Sequence, residues 1–266
     1  MSYLNRFRLD GYCSIVTGGA QGIGKAIAKA LAEAGSDIVI ADVDWEKANQ
    51  TVEELSEYQV DALAVPCDIR KPEDAKRVAL AAVDRFGKID VLVNNAGICR
   101  HERAEEMSYE DWFDVIQTNL TGTFLMSQAV GKEMIRRNKG SIINISSMSG
   151  MIVNTPQRQC AFNASKGGII QLTKSLAFEW AEFGIRVNSI APGYVKVESN
   201  SVIYEGGPHP IRKFGEDIEK TWIGLTPLRR AGVPDDFAGL AIYLASEASS
   251  FATGSVFLVD GGYSVL

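Results

Sequence analysis

A chain of 266 residues is long for one average domain and short for two, and 46% hydrophobic against 23% charged residues is the balance of a globular protein with a large core. A net charge of −6 at pH 7 offers no basic field to neutralise phosphates, which excludes nucleic acid as the main partner. No run of about 18 apolar residues appears, and Met1 to Asp10 is polar without an apolar h-region, so the chain reads as cytoplasmic with no membrane segment. The cysteines Cys13, Cys67, Cys99 and Cys160 are far apart and form no CxxC pair. Three of them lie in or beside expected strands, so they read as buried thiols and not as disulfides or a metal site.

Short apolar runs alternate with longer helical patterns along the whole chain. Strands are expected at Tyr12–Thr17, Asp37–Ala41, Ala62–Pro66, Val91–Asn94, Ser141–Ile145, Arg186–Ala191 and Ser255–Val259. Each is continuously apolar and rich in Val or Ile, as strands covered on both faces are. Helices are expected near Ile23–Ala34, Glu46–Tyr58, Pro72–Phe86, Tyr109–Arg137, Ala161–Phe183 and Asp235–Ala245, with Pro72 and Pro234 as starts and Gly35 and Gly184 as stops. Seven strands with intervening helices imply an α/β fold, a doubly wound parallel seven-stranded sheet joined by right-handed crossovers, in one domain spanning 1–266. The long irregular stretch 194–226 follows a strand's carboxyl end, where open α/β sheets bind ligands, and reads as a substrate lid. A plain surface excursion is the alternative.

The first strand runs into Thr17-Gly18-Gly19-Ala20-Gln21-Gly22-Ile23-Gly24 and then a helix. Glycines here let the backbone turn tightly and approach a pyrophosphate, whose charge meets the helix N-terminus. The spacing G-x-x-x-G-x-G is not the common dinucleotide pattern, but strand before, helix after and an acid at the end of the next strand supply the context. That acid is Asp42. A carboxylate there accepts hydrogen bonds from the adenine-ribose hydroxyls and repels a 2′-phosphate, so NAD is expected over NADP. Capping of the following helix is the alternative role for Asp42, and Asp44 is better placed for it.

With Asn94-Asn95-Ala96-Gly97, Asn119, Ser147, Lys166, Pro192-Gly193 and Asp260-Gly261-Gly262, these motifs make the sequence resemble the classical short-chain dehydrogenase/reductase family over essentially its whole length. The resemblance implies a Rossmann-type NAD(P)-binding domain, a homotetramer or dimer, Asp68 and Ile69 near the adenine, and Asn95, Ala96 and Gly97 along the cofactor. Gly18, Gln21, Gly22, Ile23 and Gly24, and then Pro192, Gly193 and Val195, are carried over as cofactor contacts in the same way. The family often has a threonine at the place of Val197, so its contact with the nicotinamide amide is expected to be absent or supplied by backbone.

In this family a tyrosine four residues before a lysine on one helix moves the proton of an alcohol hydroxyl. The i, i+4 spacing puts both on one face. The lysine lowers the phenol pKa and bonds the nicotinamide ribose. A serine binds the substrate oxygen, and an asparagine holds a relay water. The resemblance assigns these roles to Lys166, Asn119 and Ser147, with Ser146 and Ser149 as competitors for the serine. At the tyrosine's position stands Phe162, which has the same volume but no proton to move. Tyr194 belongs to the Pro-Gly loop, and Cys160 and Asn163 point off the face shared with Lys166, so no neighbour substitutes. Because the other site residues are intact, the chain reads as a Tyr-to-Phe variant of an active enzyme, expected to be nearly inactive.

The stretch Gly150-Met151-Ile152-Val153-Asn154-Thr155-Pro156-Gln157 resembles the branch acting on polyols and ketoses, including mannitol, sorbose, xylulose and gluconate 5-dehydrogenases. Asn154 and Gln157 are candidate amide contacts to a polyhydroxylated substrate. Arg100 or Arg103 is positioned to pair a carboxylate or phosphate, solvated loop charges being the alternative. His101 and His209 lack partners at metal spacing, so no metal is expected. Two readings stand. One is an NAD-dependent oxidoreductase of a small secondary alcohol or ketone, with hydroxysteroid and 3-oxoacyl substrates as alternatives. The other is a non-catalytic NAD-binding protein of the same fold.

Overall fold

The computed structural model describes residues 2–197 and 217–265. The seven strands are β1 (Cys13–Thr17), β2 (Asp37–Asp42), β3 (Ala62–Pro66), β4 (Val91–Asn94), β5 (Gly140–Ile145), β6 (Ile185–Pro192) and β7 (Val256–Val259). They form one parallel sheet in the order β3-β2-β1-β4-β5-β6-β7. The order reverses between β1 and β4, and the connections that leave their carboxyl ends run to opposite sides of this switch point, where such sheets bind ligands. Every expected strand is present, with boundaries moved by at most a residue.

Alternation along the strands sorts the core into two layers. Ile38, Ile40, Val91 and Val93 point to one face and pack with α1 (Gly22–Glu33), α2 (Trp45–Leu55) and α8 (Ala238–Ala245). Val39, Leu92 and Ile142 point to the other and pack with α3 (Pro72–Phe86), α5 (Gly122–Arg137) and α6 (Cys160–Trp180). All of these strand side chains are buried completely. Removing one of them, as in Ile40→Ala, costs about 2–5 kcal/mol because the flanking helices cannot collapse onto the gap. Gly35 and Gly184 follow helix ends with φ of +106° and +67°, the left-handed turn that a glycine stop provides.

Two expectations change in detail. The helix expected over Tyr109–Arg137 is α4 (Tyr109–Ile116), a π-helical turn at Gln117–Thr121, and then α5. Hydrophobic periodicity does not reveal the turn. The turn carries the buried Asn119, whose Oδ1 accepts from the Ile98 amide at 2.8 Å and whose Nδ2 donates to the Ile98 carbonyl at 2.9 Å. Of the stretch 194–226, residues 198–216 lie outside the described residues. Its ends are ordered by a parallel bridge between Val195 and Gly232 and by α7 (Asp217–Leu225).

Candidate functional site

A cleft of about 520 Å³ opens at the carboxyl ends of β1 and β4. The glycine loop forms its floor. Gly18 and Gly22 have φ of +62° and +57°, and a Cβ on Gly24 would lie 2.1 Å from the Gly18 carbonyl oxygen, so loop and helix meet at a distance only glycine allows. Asn95 lines the cleft and clamps this contact, its Nδ2 donating to the carbonyls of Thr17 and Gly18 at 3.2 and 2.9 Å. Among the described residues no side chain caps α1, and its first turn carries no acid, so its leading amides suit a bound anion. Gln21, Gly22 and Ile23 line the cleft beside them. This cradle fits the pyrophosphate of a nicotinamide dinucleotide.

Asp42 lines the same cleft. Its Oδ2 accepts from the Ala20 amide at 3.1 Å and its Oδ1 from the Asp44 amide at 3.0 Å. A carboxylate has about four acceptor sites, so capacity remains for ribose hydroxyls. Burial pushes its pKa up, and the backbone donors oppose that shift. Asp44 caps α2 by accepting from the Lys47 amide at 3.1 Å, so Asp42 is not the cap. Asp68 and Ile69 line the same cleft; the Arg70 guanidinium grips Asp68 in a two-pronged pair, holds its carboxyl below the usual range, and reaches Asp114 at 3.0 Å. Nothing in the sequence marked Arg70 as a wall of the cleft.

At the inner end stand Ser147, Phe162 and Lys166, with Ala96, Gly97, Pro192 and Gly193 around them. Lys166 is 5% exposed, and its Nζ donates to the Ile145 carbonyl at 2.7 Å. Burial lowers its pKa to about 8. The Phe162 ring centre lies 5.4 Å from that nitrogen. Ser147 opens a short 3-10 turn, its Oγ accepting from the Ser149 amide at 3.1 Å, and among the described residues its hydroxyl proton has no acceptor. Its competitors are occupied. The Ser146 hydroxyl pairs with that of Ser189 at 2.6 Å, and Ser149 donates to Asn154 Oδ1 at 2.8 Å. Asn119 lies behind the cleft wall, donating to Ser165 Oγ at 3.0 Å as well as holding Ile98.

Not every expected contact is open to the cleft. Val195 is off the cleft wall, bridged to Gly232. Asn154 and Gln157 are 3% and 4% exposed and spend their amides on protein. Both donate to the Tyr194 hydroxyl, at 2.9 and 3.0 Å, and Gln157 Oε1 accepts from the Trp222 indole at 3.1 Å. Arg100 does line the cleft, but Asp114 at 2.8 Å and Asp111 at 3.4 Å already meet its charge. The long-range cluster of Tyr194 stacked on Trp222 at 4.2 Å, with Tyr263 edge-on, is what draws the two amides inward. Gln159 joins it unannounced: its Nε2 donates to Ser149, Asn154 and Asn163, tying the Ser147 turn to α6. Tyr194 itself stays out of the catalytic corner, its hydroxyl donating to the Thr155 carbonyl at 3.0 Å.

A parallel sheet with its glycine cradle at the topological switch point, and a serine and a buried lysine beside it, define a dinucleotide-dependent oxidoreductase class. A family model described as enoyl-(acyl carrier protein) reductase matches residues 18–264. The galactitol 2-dehydrogenase (L-tagatose-forming) of Cereibacter sphaeroides is 39% identical over 265 residues, covering all of both chains. The NADH-dependent L-xylulose reductase of Ambrosiozyma monospora is 38% identical over 274 residues, with 98% of each chain covered. The crystal structure of a gluconate 5-dehydrogenase from Burkholderia cenocepacia, in complex with NADP and tartrate, superposes with a TM-score of 0.89 at 35% identity and full coverage of both chains. This chain belongs to the short-chain dehydrogenase/reductase family. No described helix is long and apolar enough to cross a membrane.

Proposed function

We propose that this chain is an NAD-preferring oxidoreductase interconverting a secondary alcohol and a ketone of a polyol, ketose or sugar acid, slowed by phenylalanine at position 162. The observation that carries this reading is the convergence of Ser147 and Lys166 at the inner end of the glycine-floored cleft. The sugar-alcohol and ketose names of the relatives support the substrate class. A bound nicotinamide dinucleotide supplies the hydride donor or acceptor. Asp42 orients its adenine ribose, and the loop from Gly18 to Gly24 with the α1 amides meets its pyrophosphate. Lys166 holds the nicotinamide ribose, and Ser147 donates its free proton to the substrate oxygen. Relatives include both NADH- and NADP-linked proteins, so Asp42 is the residue on which the preference rests.

The remaining proposals follow from the same reading. The chain is one domain, works in the cytoplasm, and assembles as a homotetramer through α4, α5 and α6, whose exposed Tyr109, Phe113 and Phe178 suit a covered face. Its partner is a small molecule. The deciding experiment is a screen of Phe162→Tyr against polyols, ketoses and sugar acids with NAD and NADH. A gain of roughly 10²–10⁴-fold over the starting protein is expected, with little change in NADH affinity, since the phenol acts on the substrate oxygen. One observation favours a second reading: Phe162 as the native residue of a non-catalytic NAD-binding protein. Intact NADH binding with no gain from Phe162→Tyr on any alcohol or ketone selects that reading.

A further inference from the structure

Among the described residues, Lys166 is the titratable side chain that lines the inner end of the cleft, beside a ring that has no proton to move. Lys166 Nζ lies 5.4 Å from the Phe162 ring centre and 2.7 Å from the Ile145 carbonyl oxygen, sealed in the wall that Ser147 shares. The groups facing it from the surrounding elements are few. From the segment after β4 comes the Cys99 thiol, which burial pushes up to about 12 and so keeps neutral. Across Gly97 lies the uncharged Asn119 amide, and from the end of β5 come the Ile145 carbonyl and the Ser147 hydroxyl. Among the described residues no carboxylate forms an ion pair with Lys166.

We propose that Lys166 is itself the proton acceptor and donor for the substrate oxygen held by Ser147, acting directly or through one water, in a site where phenylalanine replaces the phenol. This rests on the oxidoreductase reading above. In the oxidation, the alcohol O–H bond breaks and its proton passes to the neutral Lys166 amine, which becomes an ammonium. The carbinol C–H electron pair leaves as hydride to the oxidised nicotinamide dinucleotide, so the carbon is oxidised to a ketone while the cofactor is reduced. In the reduction, the same ammonium returns the proton to the developing alkoxide. An amine buried with no counter-charge among the described residues is shared between its two forms near neutral pH, which is what a group working in both directions requires. The phenylalanine ring shields the amine from solvent and offers the ammonium a π face, but does not compete for the proton.

The reading differs from a purely ribose-binding role for Lys166 in its pH signature. Oxidation should rise, and ketone reduction should fall, as pH passes through a midpoint near 8. Lys166→Arg keeps a cation and its donors but cannot titrate. It should lose at least about tenfold in rate and lose the midpoint, with NADH affinity by fluorescence kept within about threefold. Independently of turnover, the lysine ¹³Cε resonance missing from Lys166→Arg should titrate near pH 8 in the starting protein. If that variant does not fold, the resonance is assigned by its displacement in Phe162→Tyr. A rate midpoint that survives in Lys166→Arg, or a resonance that stays in its ammonium form to about pH 10, overturns the proposal. No turnover from the starting protein while Phe162→Tyr is active also overturns it, and leaves the oxidoreductase reading standing. Failure of Phe162→Tyr with cofactor bound removes that reading itself.

Discussion

Asp42 braces the fold and lines the cleft with a single carboxylate. Two of its acceptor sites hold the Ala20 and Asp44 amides, so it braces the glycine loop against the start of α2 as well as facing the cleft. We expect NADH to bind more tightly than NADPH, and Asp42→Ala to narrow that gap by about tenfold, because a 2′-phosphate no longer meets a like charge. Fluorescence titration with both cofactors checks this, and equal affinities in the starting protein would rule out the assignment. His101 gives a prediction of a different kind. Burial holds its imidazole neutral, with the pKa lowered to about 4. An unfolded imidazole titrates near 6.5, so between those values the unfolded chain binds the additional proton. Stability therefore falls as pH drops through that window, by up to about 3 kcal/mol. Denaturant melts from pH 7 to 4 should show this acid limb, and His101→Gln should flatten it.

At the scale of elements, the glycine loop and the start of α1 meet with no room for a Cβ at Gly24. Gly24→Ala would press its Cβ into the Gly18 carbonyl and the Asn95 amide. Such overpacking costs about 1–3 kcal/mol, and under the proposed function it tilts the amides that would meet the pyrophosphate. The expected result is a loss of NADH affinity of roughly 5–100-fold with a smaller fall in melting temperature. A variant that melts early yet binds NADH normally would show that the contact serves folding alone. The π-helical turn at Gln117–Thr121 carries a second such junction, in which Asn119 takes both the amide and the carbonyl of Ile98. Asn119 is conspicuous in the sequence by resemblance, but its bonding partners come from the segment after β4 and could not be read from the helix.

For the whole molecule, burial of the exposed aromatics of α4 and α6 against other copies is expected to produce a tetramer at micromolar concentration, and sedimentation velocity decides it. A sole monomer peak would refute the assembly. The architecture itself was legible in the chain, because a parallel sheet covered on both faces requires unbroken Val- and Ile-rich runs such as Asp37–Asp42 and Val91–Asn94. Position 162 was legible for a related reason: i, i+4 spacing places Phe162 and Lys166 on one face of α6 whatever packs against it. Which serine is free, and where Asn154, Gln157 and Arg100 spend their polar groups, could be decided only by tertiary structure. Ser146 is taken by Ser189, 43 residues away, Gln157 by Trp222, 65 residues away, and Arg100 by the carboxylates of α4. A local pattern states what a side chain can bond. Which partner it bonds depends on the chain segments that the fold brings beside it, and buried polar groups take whichever partners are there.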